Sequence, residues 1–197
     1  PAAWDSPQLI ALAHDIAAAI NRSVALSKDM DVLDFGCGTG LLSLALQPEV
    51  RSVTGADSSR GMLEVFESKI AASKIAPVET VLLDPDAHFH PDKRFHLIVS
   101  SMTLHHIKEI EPLFASFYDS LAAGGQVAFA DLDLDGGLFH PDRTGVFHDG
   151  FDRAALVQML EDAGFKDVRC VSAATLTKPI VDGSSHTFTV FLLTAKK

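Results

Sequence analysis

Between Val32 and Gly40 the chain reads Val-Leu-Asp-Phe-Gly-Cys-Gly-Thr-Gly. An acid, Asp34, stands just ahead of glycines at three alternate positions, Gly36, Gly38 and Gly40. Glycine lets a ligand approach the main chain closely. Backbone N–H groups where such a turn opens a helix can bind a polar or anionic ligand group. A second acid, Asp57, follows about twenty residues later, where the second strand of a β-α-β unit ends and an acid can take both ribose hydroxyls. The alternative for Asp57 is a plain helix cap. Four histidines, His105, His106, His140 and His148, occupy two later segments, and imidazole is the side chain best suited to moving protons near neutral pH. These types and spacings point to a nucleotide-like ligand with proton-transfer groups nearby.

The elements that must position these residues are legible in the hydrophobic pattern. Residues 30–35 form a short apolar run, and Leu41-Leu42-Ser43-Leu44-Ala45-Leu46 after the turn is helix-compatible, which reads as strand, tight turn and helix. Asp5-Ser6-Pro7 opens a first helix over residues 5–22, with Leu9, Ala13, Ile16 and Ile20 as its apolar stripe. Trp4 at its mouth either covers a ligand or staples the helix. Strands are predicted at 51–57, 79–84, 95–101, 126–131, 165–172 and 186–195. Helices are predicted at 58–73 and 110–122, the latter ended by Gly124-Gly125, and after Asp152. The last two strands read as an antiparallel hairpin. Strands alternating with helices imply an α/β fold with a mostly parallel sheet, whose ligands bind beyond the strands' carboxyl ends. The residues singled out fall at those ends. Residues 132–150 are too long for a simple connection and are expected to cap a substrate.

A dinucleotide fingerprint needs a small residue where Leu41 stands. The G-x-G-x-G run with its leading acid instead resembles motif I of the class I S-adenosylmethionine (SAM) methyltransferases. Asp57-Ser58-x-x-x-Met62 and the Leu104-His105-His106 stretch also resemble that family, as does the join of helix, double glycine and strand at 110–131. The resemblance covers residues 30–131 closely and the remainder loosely. His96 departs from it, standing where the family usually has Asp. It implies a Rossmann-like three-layer sandwich with a seven-stranded sheet in the order 3-2-1-4-5-7-6, strand 7 antiparallel. It further implies SAM as cofactor, S-adenosylhomocysteine as product, and a small-molecule acceptor presenting O, N or C. The cofactor-binding set it implies is Asp34, Gly36, Cys37, Gly38, Asp57, Ser58, Met62, Asp84, Ser100 and His105, with Asp86 competing with Asp84 for the adenine. His106, His140 and His148 are the candidate catalytic bases, with His105 behind them.

Composition narrows the partners. The chain has 197 residues, 47% of them hydrophobic, and a net charge of −10. No basic stripe of the kind a polyanion binder carries is present, so nucleic acid and anionic membrane surfaces are not expected partners. No apolar run is long enough to span a bilayer. The opening Pro-Ala-Ala-Trp has no secretory pattern, and the absent Met suggests a trimmed start. The expectation is one domain over residues 1–197, cytoplasmic, as monomer or homodimer. Cys37 and Cys170 fit no metal or disulfide spacing. In the implied strand order their strands lie about 19 Å apart, beyond disulfide reach. Asp84, Asp86, His88 and His90, or Asp131, Asp133, His140 and His148, could supply metal ligands, but no compact motif supports either set, and no metal is expected. The competing readings are an NAD(P)-binding oxidoreductase and a SAM-binding module without catalysis.

Overall fold

The structure, a computed structural model, describes residues 5–73, 77–84, 91 and 93–197. Trp4, Asp86, His88 and His90, singled out above, lie outside the described residues. Seven strands form one sheet: β1 (Asp31–Phe35), β2 (Ser52–Asp57), β3 (Val78–Leu82), β4 (Phe95–Ser101), β5 (Leu121–Leu132), β6 (Lys166–Pro179) and β7 (Ser185–Lys196). The order is β3-β2-β1-β4-β5-β7-β6, as expected. Pairing is parallel from β3 through β5. β7 runs antiparallel to both β5 and β6.

Successive residues of the central strands feed opposite layers, the two-residue period of a strand buried on both faces. Val32, Leu97, Ala128 and Leu192 pack on one side with α1 (Pro7–Ser23) and α2 (Leu41–Leu46). Leu33, Ile98, Val127 and Leu193 pack on the other with α4 (Ile110–Ser120) and α5 (Arg153–Asp162). Phe114, Phe117 and Phe129 fill that second layer, with the rings of Phe114 and Phe129 stacked 5.5 Å apart. α3 (Arg60–Ser73) rests on the first side through Leu63 and Phe66, which reach Val78. Local signals start the helices as expected. Ser6 Oγ accepts from the Leu9 N–H at 3.3 Å ahead of Pro7, and Asp152 Oδ1 accepts from the Ala155 N–H at 2.9 Å.

Two boundaries differ from the sequence reading for tertiary reasons. The helix expected over 110–122 stops at Ser120, because Leu121 pairs with Phe95; a register shift between Phe95 and Leu97 takes up Gly124 and Gly125 inside β5. β6 runs on to Pro179 because β7 offers it partners as far as Ser185. Nothing local in residues 173–179 signals that pairing.

The turn after β1 is fixed by packing as well as by dihedral angle. Gly40 holds φ +80°, and a Cβ there would overlap the Phe66 ring. Gly38 holds φ +53°, but a Cβ there would meet nothing within 4 Å. Gly40→Ala is therefore expected to cost about 2–5 kcal/mol, left-handed strain plus overpacking. Gly38→Ala should cost only the strain, about 1–2 kcal/mol. Denaturant midpoints read the difference.

Candidate functional site

The carboxyl ends of β1, β2, β3 and β4 open onto a cleft of about 1280 Å³, bounded by Leu9, Leu12 and Ala13 of α1 and by Phe147. It lies where the strand order reverses between β1 and β4, the place open α/β sheets bind ligands. The main chain of the glycine turn is largely committed inward. The N–H groups of Gly36 and Cys37 donate to Ala56 O at 2.7 and 3.1 Å, and that of Gly40 donates to Cys37 O at 2.9 Å. The Gly38 N–H donates to Asp57 Oδ2 at 2.8 Å, and the Ser59 N–H donates to Asp57 Oδ1 at 2.8 Å. Asp57 thus caps the turn and the start of the α3 segment while its carboxylate lines the cleft. The capping reading and the ligand reading of Asp57 are both compatible with this geometry.

Asp34 is the second acid of the cleft and is 1% exposed. Ser43 Oγ, one turn into α2, donates to its Oδ2 at 2.6 Å. Burial pushes the carboxyl up to about 6, and the nearby Asp57 charge adds to this, against the partial relief of the Ser43 hydroxyl. Asp31, at the far end of the same strand, shows the contrast: hydrogen bonding from Arg51 holds it down at about 2. No cation figures among the groups that act on Asp34. Cys37 also lines the cleft; burial, and then the same two acids, push its thiol far up, so it is no nucleophile. Both cysteines are free. Ser58, Met62 and Asp84 line the cleft.

Ser100 does not line the cleft. It is buried, and its hydroxyl donates to Phe35 O at 2.8 Å, tying β4 to β1. Strand alternation buries it; the cleft takes Ser101, Met102 and Thr103 instead. His105 does not line the cleft either. It points back into the protein, where Asp131 Oδ1 lies 2.7 Å from its Nδ1 and Asp131 Oδ2 accepts from its backbone N–H at 3.3 Å. A carboxylate only accepts, so Nδ1 carries the proton and Nε2 the lone pair. His140 Nε2 stands 3.0 Å from that lone pair. His106 Nδ1 lies 2.8 Å from Gly145 O, which makes it the protonated nitrogen; this ring does line the cleft. Ring centroids of His105, His106 and His140 are 4.2–5.4 Å apart. Burial lowers the His106 pKa and takes His140 down to about 4, with His105 and His106 reinforcing the latter, so burial favours the neutral form of both rings. His148 stands apart: its Nε2 donates to Ile107 O at 2.8 Å and its ring packs on Phe151.

Sequence reading missed several positioning residues. Thr103 fills the space beside Gly36 and donates to Gly36 O at 3.2 Å. Met102 holds a left-handed φ of +55°, which turns the chain into the short helical turn Leu104–His106. Asp5, Thr39 and Lys69 tie α1 and α3 to the glycine turn: Thr39 Oγ1 donates to Asp5 Oδ1 and Lys69 pairs with Asp5 Oδ2, each at 2.5 Å. Asp131, weighed from sequence only as a metal ligand, is instead the carboxylate behind His105; its signal is an acid at the carboxyl end of β5 like those of β1 and β2.

Residues 10–170 match the family model described as a methyltransferase domain. The chain belongs to the methyltransferase family. It is 28% identical over 186 residues to an uncharacterised methyltransferase of Schizosaccharomyces pombe, covering 87% of this chain and 65% of that one. It is 33% identical over 150 residues to phosphoethanolamine N-methyltransferase 3 of Arabidopsis thaliana, covering 73% of this chain and 30% of the plant protein. The chain thus spans less than two thirds of the length of these relatives. The solved phosphoethanolamine N-methyltransferase 2 of Haemonchus contortus in complex with S-adenosyl-L-methionine superposes with a TM-score of 0.73 at 17% identity. That match covers 92% of this chain and 52% of that one, and establishes a shared fold. Among the described residues no helix is long and apolar enough to cross a membrane.

Proposed function

We propose that the protein is a SAM-dependent methyltransferase acting on a small molecule. The observation that carries this reading is the charge of the glycine turn. Four of its N–H groups are spent inside the protein, and two carboxylates, Asp34 and Asp57, border the same cleft. At the turn these carboxylates repel a pyrophosphate and suit a ligand that brings cations and hydroxyl donors, as SAM does with its ammonium, sulfonium and ribose; the cleft's lysines, Lys93 and Lys108, lie on other segments. Leu41, also in the cleft lining, crowds the place where a dinucleotide site needs a small residue. Both facts weigh against the NAD(P) reading.

The residues present fit the cofactor. The space above Gly38 admits a ligand atom where any side chain would intrude. In this reading Asp34 takes the ammonium, whose charge offsets the cost of its burial. Asp57 takes the ribose hydroxyls with the acceptor capacity its two backbone bonds leave free. Met62 lies against the adenine and Asp84 accepts from the adenine amino group. Bound SAM supplies a methyl group already activated by the positive sulfur, so the protein's part is to align the acceptor and exclude water. Leu9 and Leu12 of α1, Met102 and Phe147 provide the apolar walls for that. The acceptor enters beside His106, where the imidazoles of His106 and His140, favoured in their neutral form by burial, offer lone pairs that take a proton or a cation. His148 has no part in this, its ring being committed to Ile107 and Phe151. The cluster also favours an enzyme over a binding module, since cofactor binding alone gives it nothing to do.

A thermal-shift panel tests the cofactor. SAM or S-adenosylhomocysteine at a hundred times Kd should stabilise by about 2.7 kcal/mol, or roughly 5–10 °C for a chain of this size. NAD and NADP should give no shift. A shift with NAD alone overturns the reading. Release of S-adenosylhomocysteine on supplying small-molecule acceptors separates an enzyme from a binding module.

A further inference from the structure

We propose that His105, His106 and His140 hold a divalent transition-metal ion of the zinc class. Its remaining coordination position would take the nucleophilic oxygen or sulfur of the methyl acceptor. Two segments far apart in sequence supply the rings: the helical turn after β4 gives His105 and His106, and the loop after β5 gives His140. One nitrogen from each ring lies within 4.8 Å of the other two. Nitrogens on a tetrahedral zinc-class ion, with bonds of about 2.0–2.1 Å, sit about 3.3 Å apart. The 3.0 Å between His105 Nε2 and His140 Nε2 is close to that spacing, and His106 has to close in on this pair to complete the set.

What lies behind the rings points the same way. A histidine that ligates a metal donates its other N–H to a carboxylate or a backbone carbonyl, which fixes the tautomer and aims the lone pair. His105 does this to Asp131, which is fully buried and also accepts from the Leu132 N–H at 2.7 Å. His106 does it to Gly145 O. A single shared proton satisfies only one of the contacts among the three rings; a cation satisfies all of them. Three imidazoles without a thiolate or a hard carboxylate in the first set suit zinc, cobalt, nickel or copper and disfavour magnesium and calcium. Of the two ligand sets weighed from sequence, the one with Asp86, His88 and His90 lies outside the described residues; in the other, Asp133 is held by Arg153 at 2.6 Å and His148 by Ile107 O, so neither joins His140.

Three neutral ligands leave the ion its full charge. That charge favours the anion of a bound hydroxyl or thiol, as it does for zinc-bound water, and the acceptor's proton leaves to solvent as the anion binds. Because His106 lines the cleft that also holds the glycine turn, a ligand on the ion can share that cleft with the cofactor. This role rests on the methyltransferase reading; the ion site itself does not.

The test is a titration of the chelator-stripped full chain with Co²⁺, followed by its visible absorption, and with Zn²⁺ by calorimetry. One equivalent should bind, with the intense d–d bands of a four-coordinate cobalt. His140→Ala, at the partly exposed edge of the cluster, should weaken binding at least a hundredfold while leaving SAM affinity within about twofold. Asp131→Asn should weaken it by about 10–100-fold, with near-unchanged circular dichroism as the check on folding. No saturable binding, or binding unchanged in both His140→Ala and His106→Ala, overturns the ion site. SAM binding without metal binding would sink this inference alone. Metal binding without SAM binding would leave the ion site standing and sink the methyltransferase reading.

Discussion

Asp57→Ala should reduce SAM affinity by about a hundredfold or more, since it removes two charge-assisted hydrogen bonds, each worth about 1.5–3 kcal/mol. The structure adds a second consequence. Asp57 also accepts from the Gly38 and Ser59 N–H groups. Its loss therefore uncaps the turn and should cost about 1–2 kcal/mol of stability, a fall in Tm of roughly 2–8 °C. Asp57→Asn separates the two effects. The amide oxygen can still serve one backbone donor, so most of the stability should return. One ribose hydroxyl then faces an NH₂ group instead of an acceptor, so affinity should remain at least tenfold down. Calorimetric titration with SAM and a thermal melt of the ligand-free protein read the two effects independently. Unchanged affinity in Asp57→Ala removes the residue from the cofactor site.

Asp34→Asn should move stability and affinity in opposite directions. A carboxyl whose folded pKa is raised to about 6 is bound more tightly by its proton in the folded state than in the unfolded one. Ionising it in place costs about 3 kcal/mol against an ordinary Asp near 3.9. The cost is absent below the unfolded pKa, grows as pH rises towards 6, and is complete above that. Asparagine escapes it and keeps an oxygen for the Ser43 hydroxyl, though its NH₂ group then needs an acceptor. The ligand-free variant is expected to be more stable than wild type at pH 8 by about 1–2 kcal/mol, with the advantage gone by about pH 4. SAM affinity, which needs the ionised carboxylate opposite an ammonium, should fall in wild type as pH drops below about 6, by up to tenfold per unit. In Asp34→Asn it should be weak and free of that pH step. A variant that binds SAM as wild type does, or that loses stability at pH 8, contradicts the assignment.

The architecture was legible because each central strand is a short apolar run ending in a polar or glycine-rich turn, and burial on both faces leaves little choice of element. Strand boundaries failed where pairing was non-local. Leu121 leaves its helix for a partner on β4, and β6 is prolonged by β7 rather than by its own residues. The glycine turn and the acids after β1 and β2 could be found from spacing alone. What spacing could not show was direction. Ser100 and its neighbour Ser101 differ only in which side of one strand they occupy, and Ser100 proved to be a tie between strands. The turn's N–H groups were expected to face a ligand and instead hold Ala56, Asp57 and Cys37. Sequence put His105 in the cofactor set and His106, His140 and His148 forward as bases, but could not show what each ring faces. Only the positive φ at Met102 and the buried Asp131 bring three together and leave His148 on a backbone carbonyl.

The most direct test of the central claim is a crystal structure of the protein saturated with S-adenosylhomocysteine. The expected result is the ligand lying over Gly38, its ribose hydroxyls on the Asp57 carboxylate and its amino group on the Asp34 side of the turn. An empty cleft at saturating ligand, or a ribose turned away from Asp57, would contradict it.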